Sequence, residues 1–175
     1  VLALFSVVLA TLFGIGSSQV AKTSFASELD RRLIWIAGGA AEVGLQGSFL
    51  LTLRPGQEDL AAWTGPHSSL SQLRNYVDDA WVFDARTLRA IVTSASADSI
   101  PIGTPLPFLE PYQAEIEEAL TNGIGSTTRL FPGADGRFYK YGFKQLEQTD
   151  AVIAVQAPAD FVAPLRRLRT LIIGG

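Results

Sequence analysis

The sequence contains no cysteine, no methionine and a single histidine, His67. Without cysteine the chain has no disulfide, no thiol nucleophile and no thiolate metal site. One histidine and scattered carboxylates lack the spacing of metal ligands, and the nucleophile-elbow pattern of serine hydrolases is missing. A glycine-rich nucleotide loop and a kinase ATP-binding block are missing as well. We therefore predict that these 175 residues hold no catalytic site, no metal ion and no cofactor.

Charged residues are also scarce, at 18% of the chain, against about 25% in an average soluble domain. The net charge of -3 gives no basic footprint, which argues against nucleic acid as a partner. The low content of charged residues is most marked at the start of the chain, where residues 1–21 carry no charge at all. Because the sequence has no initiator methionine, we expect it to be a fragment of a longer protein.

The chain begins with an apolar run, VLALFSVVLATLFGIG, at residues 1–16. About 20 apolar residues cross a bilayer core, so this run predicts a transmembrane helix over 1–18 that is truncated at its start. A cleaved signal peptide, whose apolar core is usually about 7–15 residues, is one alternative. A buried helix of a soluble protein is another.

The last residues have the pattern of a second helix directed to the membrane. Leucine and isoleucine recur at helical spacing from Leu165 to Ile173, and Asp160 can cap the helix start. We predict an exit helix over 159–175 that leads to a second transmembrane span. The arginines between residues 166 and 169 run against the positive-inside bias if that side of the membrane is the outside.

A helical stalk is predicted over residues 19–53, because this segment has no proline and an apolar residue every three or four positions. Arg54-Pro55-Gly56 ends it. The small residues at 38–41 would suit close packing against another helix, since glycine in a helix costs up to about 1 kcal/mol relative to alanine and needs a packing reason. The alternative is a helix that crosses its own domain.

Between the stalk and the exit helix, the pattern predicts one α+β domain over residues 57–158. Its expected order is two short helices split by Gly65-Pro66, two strands, a loop and a helix, and three further strands. The early helices are expected around Glu58–Trp63 and Ser69–Tyr76, the later helix over Tyr112–Leu120, and the strands over Ala80–Asp84, Arg89–Ser94, Thr127–Phe131, Phe138–Leu146 and Ala151–Gln156.

Three segments give the domain a resemblance to a known family. They are WVFDARTLRAIVTSASADSIPIGTPLP from Trp81, RFYKYGFKQL from Arg137 and DAVIAVQAPADFVAPLRRLR from Asp150. In order and spacing they resemble the single-Cache domain, a PAS-like extracytoplasmic sensor of bacterial transmembrane receptors. The first turn departs from the family, since Asp84-Ala85-Arg86-Thr87 stands where Asp-Gly or Asn-Gly is usual. The resemblance implies a five-stranded antiparallel sheet with a long N-terminal helix packed on it.

The same resemblance implies a function in signal transduction rather than catalysis. The domain would lie on the periplasmic or extracellular side of the bacterial inner (cell) membrane and bind a small molecule. It would pass a helix displacement to a cytoplasmic output domain, in the first place a histidine kinase of a two-component system. A diguanylate cyclase or a chemoreceptor output is the alternative. Receptors of this type are commonly homodimers, and the small-residue stretch of the stalk would suit such a contact.

Two readings outside signalling also stay open. One is a ligand-free spacer that is tethered to the membrane and dimerises. The other is a secreted or lipid-facing carrier, which would require cleavage after about residue 21.

Candidate ligand-binding residues follow from the predicted strand at 138–145. Alternate residues of a strand share a face, so Tyr139, Tyr141 and Phe143 point one way and Lys140 and Lys144 the other. By resemblance, the aromatic set faces a pocket under the helix at 110–121. The predicted ligand-binding residues are Tyr139, Tyr141, Phe143, Arg129, Trp81 and Phe83.

The chemistry of this set also predicts what the ligand is not. Related citrate-type sensors place basic residues on the inward strand face to hold carboxylates, whereas this sequence has tyrosine and phenylalanine there. We therefore expect a ligand other than a multiply charged anion. Buried tyrosine hydroxyls need a hydrogen-bond partner, which a ligand could supply. The alternative is that these aromatic side chains only fill a core.

Overall fold

The computed structural model of the chain describes residues 24, 27–42, 45–95, 98–127, 130–133 and 136–159. The predicted transmembrane helix over 1–18 and all but the first residue of the predicted exit helix over 159–175 lie outside these ranges. Within the part of the chain that is described, no helix combines the length and the apolar character needed to cross a membrane.

The described elements are grouped into runs of helices and runs of strands, in an α+β arrangement. In chain order they are α1 (27–42), α2 (Gly47–Leu50), α3 (Ala61–Leu73), β1 (Asp79–Asp84), β2 (Arg89–Thr93), a 3₁₀ helix (Pro107–Tyr112), α4 (Gln113–Asn122), β3 (Ile124–Ser126), β4 (Phe131–Pro132), β5 (Phe138–Gln145) and β6 (Ala151–Pro158).

The strands form one antiparallel sheet in the order β2-β1-β6-β5-β3, and the short β4 also pairs with β5. The last strand of the chain, β6, therefore lies in the middle of the sheet. Its residues 151–155 are all apolar and all buried, as expected of a strand covered on both faces. The sheet confirms the predicted α+β class and is compatible with a PAS-like fold.

Each face of the sheet carries its own apolar core. Alternation along β1 separates the two, because Ala80 and Val82 point to one face and Trp81 and Phe83 to the other. The first face is covered by α1, α2 and α3, and the second by the 3₁₀ helix and α4. The first core includes Leu33, Ile36, Leu50, Trp63, Leu70, Ile91 and Ile153, and the second includes Leu106, Leu109, Ile116, Tyr141, Phe143 and Val152.

The helix predicted to run to residue 53 is interrupted. Helix α1 is described to residue 42, Leu45 and Gln46 are not helical, and α2 adds a single turn. The interruption brings Leu45, Leu50 and Leu53 into the first core. Leu33, Ile36 and Ala37 of α1 are buried there as well, so this part of the predicted stalk packs on its own domain.

The two short helices predicted around Gly65-Pro66 are wrong, since α3 continues through Pro66. Proline in a helix removes one backbone hydrogen bond. Contacts with the sheet hold the helix in place on both sides of Pro66. The Trp63 indole donates a hydrogen bond to the Ile91 carbonyl (2.9 Å), and His67 Nδ1 donates one to the Thr93 carbonyl (2.7 Å). The Trp63 and His67 rings stack with centroids 4.5 Å apart.

The strand predicted over Thr127–Phe131 is also wrong in its bounds. Two shorter strands, β3 and β4, pair with β5 on either side of this segment. The Thr127 side chain continues the pairing, because its hydroxyl accepts a hydrogen bond from Tyr141 N (3.0 Å). At β3, a β-carbon on Gly125 would lie 2.4 Å from the Glu115 carbonyl oxygen, so only glycine lets α4 approach this closely.

The turn between β1 and β2 closes without glycine. The Asp84 carboxylate accepts hydrogen bonds from Arg86 N and from the Thr87 hydroxyl, both at 2.9 Å. Leu88 takes the left-handed conformation (φ 50°) that glycine would otherwise supply. The turn is thus held by hydrogen bonds to the Asp84 carboxylate.

Candidate functional site

Aromatic side chains form a continuous group on the second face of the sheet. We call this group the ring cluster; its members are Trp81, Phe108, Tyr112, Phe131, Tyr139, Tyr141 and Phe143. Tyr141 is at its centre. The Tyr141 ring stacks on Phe131, with centroids 4.7 Å apart and 9° between planes, and meets the edge of Tyr112 at 5.2 Å. These spacings lie in the favourable range for aromatic pairs.

The sheet positions the cluster through two rows of paired residues. Trp81 of β1 and Phe143 of β5 are both paired with Ala154 of β6, whose small side chain leaves room for the larger rings on either side. Asp79 and Tyr141 are paired in the same way with Gln156. The second row therefore places a carboxylate, an amide and a phenol on the ring-bearing face.

The loop before α4 covers this face and is held at two neighbouring residues in its middle, Ile102 and Gly103. The Arg89 guanidinium donates a hydrogen bond to the Gly103 carbonyl (2.6 Å), and Ile102 N donates one to the Glu58 carboxylate (2.9 Å). The 3₁₀ helix that follows places Phe108 against both Trp81 (5.2 Å) and Tyr141 (6.3 Å). Phe108 remains 39% exposed, so this ring reaches the surface while Tyr141 beneath it is 3% exposed.

The structure brings most of the predicted ligand-binding residues together. Trp81, Phe83, Tyr141 and Phe143 lie in one buried cluster. Tyr139 lies at its margin, with its ring 5.8 Å from that of Phe131. Arg129 lies outside the described residues.

The sequence prediction missed three rings and one carboxylate. Phe108 and Tyr112 come from the 3₁₀ helix and Phe131 from β4. The pattern placed Tyr112 on a helical face and Phe131 at the end of a strand, but neither was assigned to the ligand-binding set, and nothing marked Phe108. Asp79 lies one residue before the first predicted strand. In the structure β1 begins at Asp79, which lies on the same face of the strand as Trp81, two residues later. This spacing of two residues from Trp81 is the one signal in the sequence from which Asp79 could have been found.

Asp79 is half-buried at the edge of the ring cluster. It accepts a hydrogen bond from the Ser94 hydroxyl (3.2 Å), and the Arg74 guanidinium lies 3.9 Å away. Burial raises the pKa of Asp79, an effect that Arg74 and Ser94 counteract in part.

The Tyr141 phenol lies in a similarly dry setting. Burial, followed by the proximity of Tyr112, Asp79 and Tyr139, raises the pKa of Tyr141 well above its ordinary value. Its hydroxyl forms no hydrogen bond with any residue that the structure describes.

The opposite face of β5 holds helix α1. Lys140 is 1% exposed and donates a hydrogen bond to the carboxylate of Asp30 on α1. Two residues on, Gly142 lies against Leu33, where a β-carbon would come within 2.8 Å of the Leu33 side chain. One strand thus carries the central ring of the cluster on one face and the contacts with α1 on the other.

The outer side of α1 carries few contacts with the other described residues. Trp35 is 78% exposed, and a β-carbon on Gly38 or Gly39 would meet no atom within 4 Å. A groove of about 350 Å³ runs beside this helix, lined by Leu29, Arg32, Leu33, Ile36, Tyr76, Ala157 and Pro158. The small residues therefore leave open space rather than a contact inside the described domain.

Compared with models of known protein families and with curated proteins, the chain matches none. Among the described residues, no group of three or more histidine, aspartate or glutamate side chains is arranged to hold a metal ion.

Proposed function

We propose that this chain is the extracytoplasmic ligand-sensing domain of a bacterial membrane receptor, of the single-Cache, PAS-like type. A ligand would bind at the ring cluster, and the response would travel along α1 towards the membrane. The observation that carries the proposal is the double role of β5, which presents Tyr141 to the cluster and Lys140 and Gly142 to α1.

The contacts across β5 suit the transmission of a small displacement. Buried side chains at native packing density have little free space, so a shift of the strand must move what packs on it. Gly142 touches Leu33 directly, and the Lys140–Asp30 ion pair ties the next turn of α1 to the same strand. A ligand that displaces β5 would therefore displace α1, provided that it binds the two arrangements with different affinity.

The membrane part of the proposal rests on the sequence. The apolar, uncharged run at residues 1–16 has the composition of a transmembrane helix that ends shortly before α1. A histidine kinase is the output domain that we favour, and a diguanylate cyclase or a chemoreceptor is the alternative.

A ligand-free, dimerising spacer is the second candidate function. It is favoured by the close packing of the rings, since Tyr141 is 3% exposed and its neighbours lie at ordinary aromatic distances. In that case the rings would form a core and bind nothing.

A thermal-shift screen separates the two functions. The full chain, purified in a non-ionic detergent, would be screened against a library of small metabolites. A specific ligand at 100 times its Kd stabilises the folded state by about 2.7 kcal/mol. Phe108→Ala should weaken this effect, whereas Phe49→Ala, which truncates another exposed ring on α2, should not. If no compound shifts the melting temperature, the spacer is supported.

The absence of cysteine permits a test of location. Glu117→Cys introduces one thiol on the exposed side of α4. A maleimide that cannot cross membranes should label this variant in spheroplasts of intact inner membrane. Labelling only after the membrane is permeabilised would contradict an extracytoplasmic domain.

A further inference from the structure

The ring cluster has a negatively charged end. Asp79 and Trp81 lie on the same face of β1. They are two residues apart, so their α-carbons are separated by about 7 Å. Asp79 and Tyr141 lie in one row across the sheet, on either side of Gln156. They are two strand spacings apart, so their α-carbons are separated by about 10 Å. The region between them is bordered by a carboxylate, an amide, a phenol and an indole.

The charge on Asp79 is only partly neutralised by the protein. Arg74 approaches to 3.9 Å, and the side chains of Arg74 and Asp79 are 55% and 37% exposed. An exposed ion pair of this kind contributes little to the stability of the fold. The Ser94 hydroxyl supplies one hydrogen bond, whereas an ionised carboxylate can accept several. Asp79 therefore keeps capacity for a further cationic donor.

The same region already binds a cation of the protein itself. The Arg137 guanidinium lies over the Tyr139 ring, 5.8 Å from its centroid, and 3.8 Å from the Asp78 carboxylate. A cation is attracted to the face of an aromatic ring, most strongly where water is excluded. Asp78 and Tyr139 thus already hold a cation, the Arg137 guanidinium, between one carboxylate and one ring. They lie immediately beside Asp79 and Tyr141.

We propose that the Asp79 end of the ring cluster binds a small organic ammonium ion. The ammonium group donates hydrogen bonds to Asp79, and its apolar part lies against Phe108, Trp81 and Tyr141. Gln156 and the Tyr141 hydroxyl complete the polar border. This inference names the ligand class of the proposed sensor and rests on that function.

Three probes of equal size and different charge test the ligand class. They are n-propylammonium, n-propanol and propionate, each titrated into the full chain in non-ionic detergent and followed by calorimetry and by thermal shift. We expect n-propylammonium to bind at least about tenfold more tightly than n-propanol, the difference that one charge-assisted hydrogen bond supplies. Propionate should bind no better than n-propanol.

Two matched variants assign the binding to Asp79. Asp79→Asn keeps the shape and removes the charge, and should weaken n-propylammonium about tenfold. Asp78→Asn removes a neighbouring carboxylate of nearly equal exposure and should leave the affinity within about twofold. Phe108→Leu, at an exposed ring, should weaken binding about threefold through loss of the aromatic surface that contacts the apolar part of the ligand.

The failures of the two proposals are distinguishable. If n-propanol or propionate binds as tightly as n-propylammonium, or if Asp79→Asn has no effect, the ammonium site is wrong while a sensor of another ligand stands. The ammonium site is equally wrong if alkylammonium ions from methyl to hexyl all fail to bind while an anion or a neutral metabolite does. If neither these ions nor the metabolite library binds, the sensor function itself fails.

Discussion

Leu33 of α1 lies directly against Gly142 of β5, so closely that residue 142 has no room for a side chain. A β-carbon at this position would be 2.8 Å from the Leu33 side chain and 3.1 Å from its backbone carbonyl carbon. The helix and the strand are therefore in backbone contact at one point, beside the buried Lys140–Asp30 ion pair. Both contacts join α1 to the strand that bears the central ring of the cluster.

Gly142→Ala should destabilise the domain by about 1–3 kcal/mol, because the added methyl group pushes α1 away from the sheet. The measurement is urea unfolding followed by circular dichroism. Gly39→Ala is the matched control on α1, since its new β-carbon meets no atom within 4 Å. It should stabilise the helix by up to about 1 kcal/mol. Equal effects of the two substitutions would contradict the close approach at Gly142.

Asp30→Asn should cost more stability than Lys140→Met. Lys140 is almost fully buried, with a side chain 2% exposed, whereas the Asp30 side chain is 27% exposed. Removal of the Asp30 charge leaves a buried ammonium without that carboxylate, at a cost of about 3 kcal/mol. Lys140→Met leaves a carboxylate that reaches water, and should cost about 1 kcal/mol.

A double-mutant cycle measured by urea unfolding checks this asymmetry. The Asp30→Asn/Lys140→Met protein should regain most of the loss seen in Asp30→Asn, because no charge then remains buried at this contact. Additive losses would show that the two side chains are not coupled.

Strand β5 shows what the sequence could predict. Its alternation of tyrosine and phenylalanine with lysine is a local pattern, and the structure confirms that Tyr141 and Phe143 lie on one face and Lys140 on the other. Burial of one face fixes such a strand, since a slip by one residue would expose every ring.

Contacts distant in sequence explain most of the errors. Helix α3 passes through Pro66 because Trp63 and His67 bond to carbonyls of β2, and no local signal in residues 57–76 indicates this. Phe108 lies in a segment without periodicity and Phe131 at the end of a predicted strand, and only the folded chain brings their rings to Tyr141. Secondary-structure propensity and hydrophobic pattern depend only on residues that are close in sequence, so they could not predict these placements.

Asp79→Asn should change the pH dependence of stability. Burial raises the folded-state pKa of Asp79 above the 3.8 of an unperturbed carboxyl. The folded state then holds this proton more tightly than the unfolded chain does, so the resulting stability is present below pH 3.8 and is lost as pH rises through the folded-state pKa. Asparagine stays neutral throughout, and the variant should gain stability relative to the parent as pH rises to 7.

Urea unfolding of both proteins at several pH values between 3 and 7 measures this difference. Asp78→Asn is the control for loss of a charge at a neighbouring position of nearly equal exposure. A relative gain for asparagine on acidification, instead of on alkalinisation, would mean that Asp79 is stabilised as the carboxylate.

The exposed side of α1 provides the last test, because the proposed receptor dimer would use it. Trp35 is 78% exposed and one turn before Gly39, on the same side of the helix. A large exposed aromatic beside a residue without a side chain suits contact with a second helix. In a chain that has no cysteine, Trp35→Cys should form a disulfide-linked dimer in membranes under mild oxidation, since such bonds need α-carbons less than about 7 Å apart. Glu117→Cys, also at an exposed position but on α4, should remain monomeric. Equal cross-linking of the two variants would indicate random collision, and α1 would then face solvent rather than a partner.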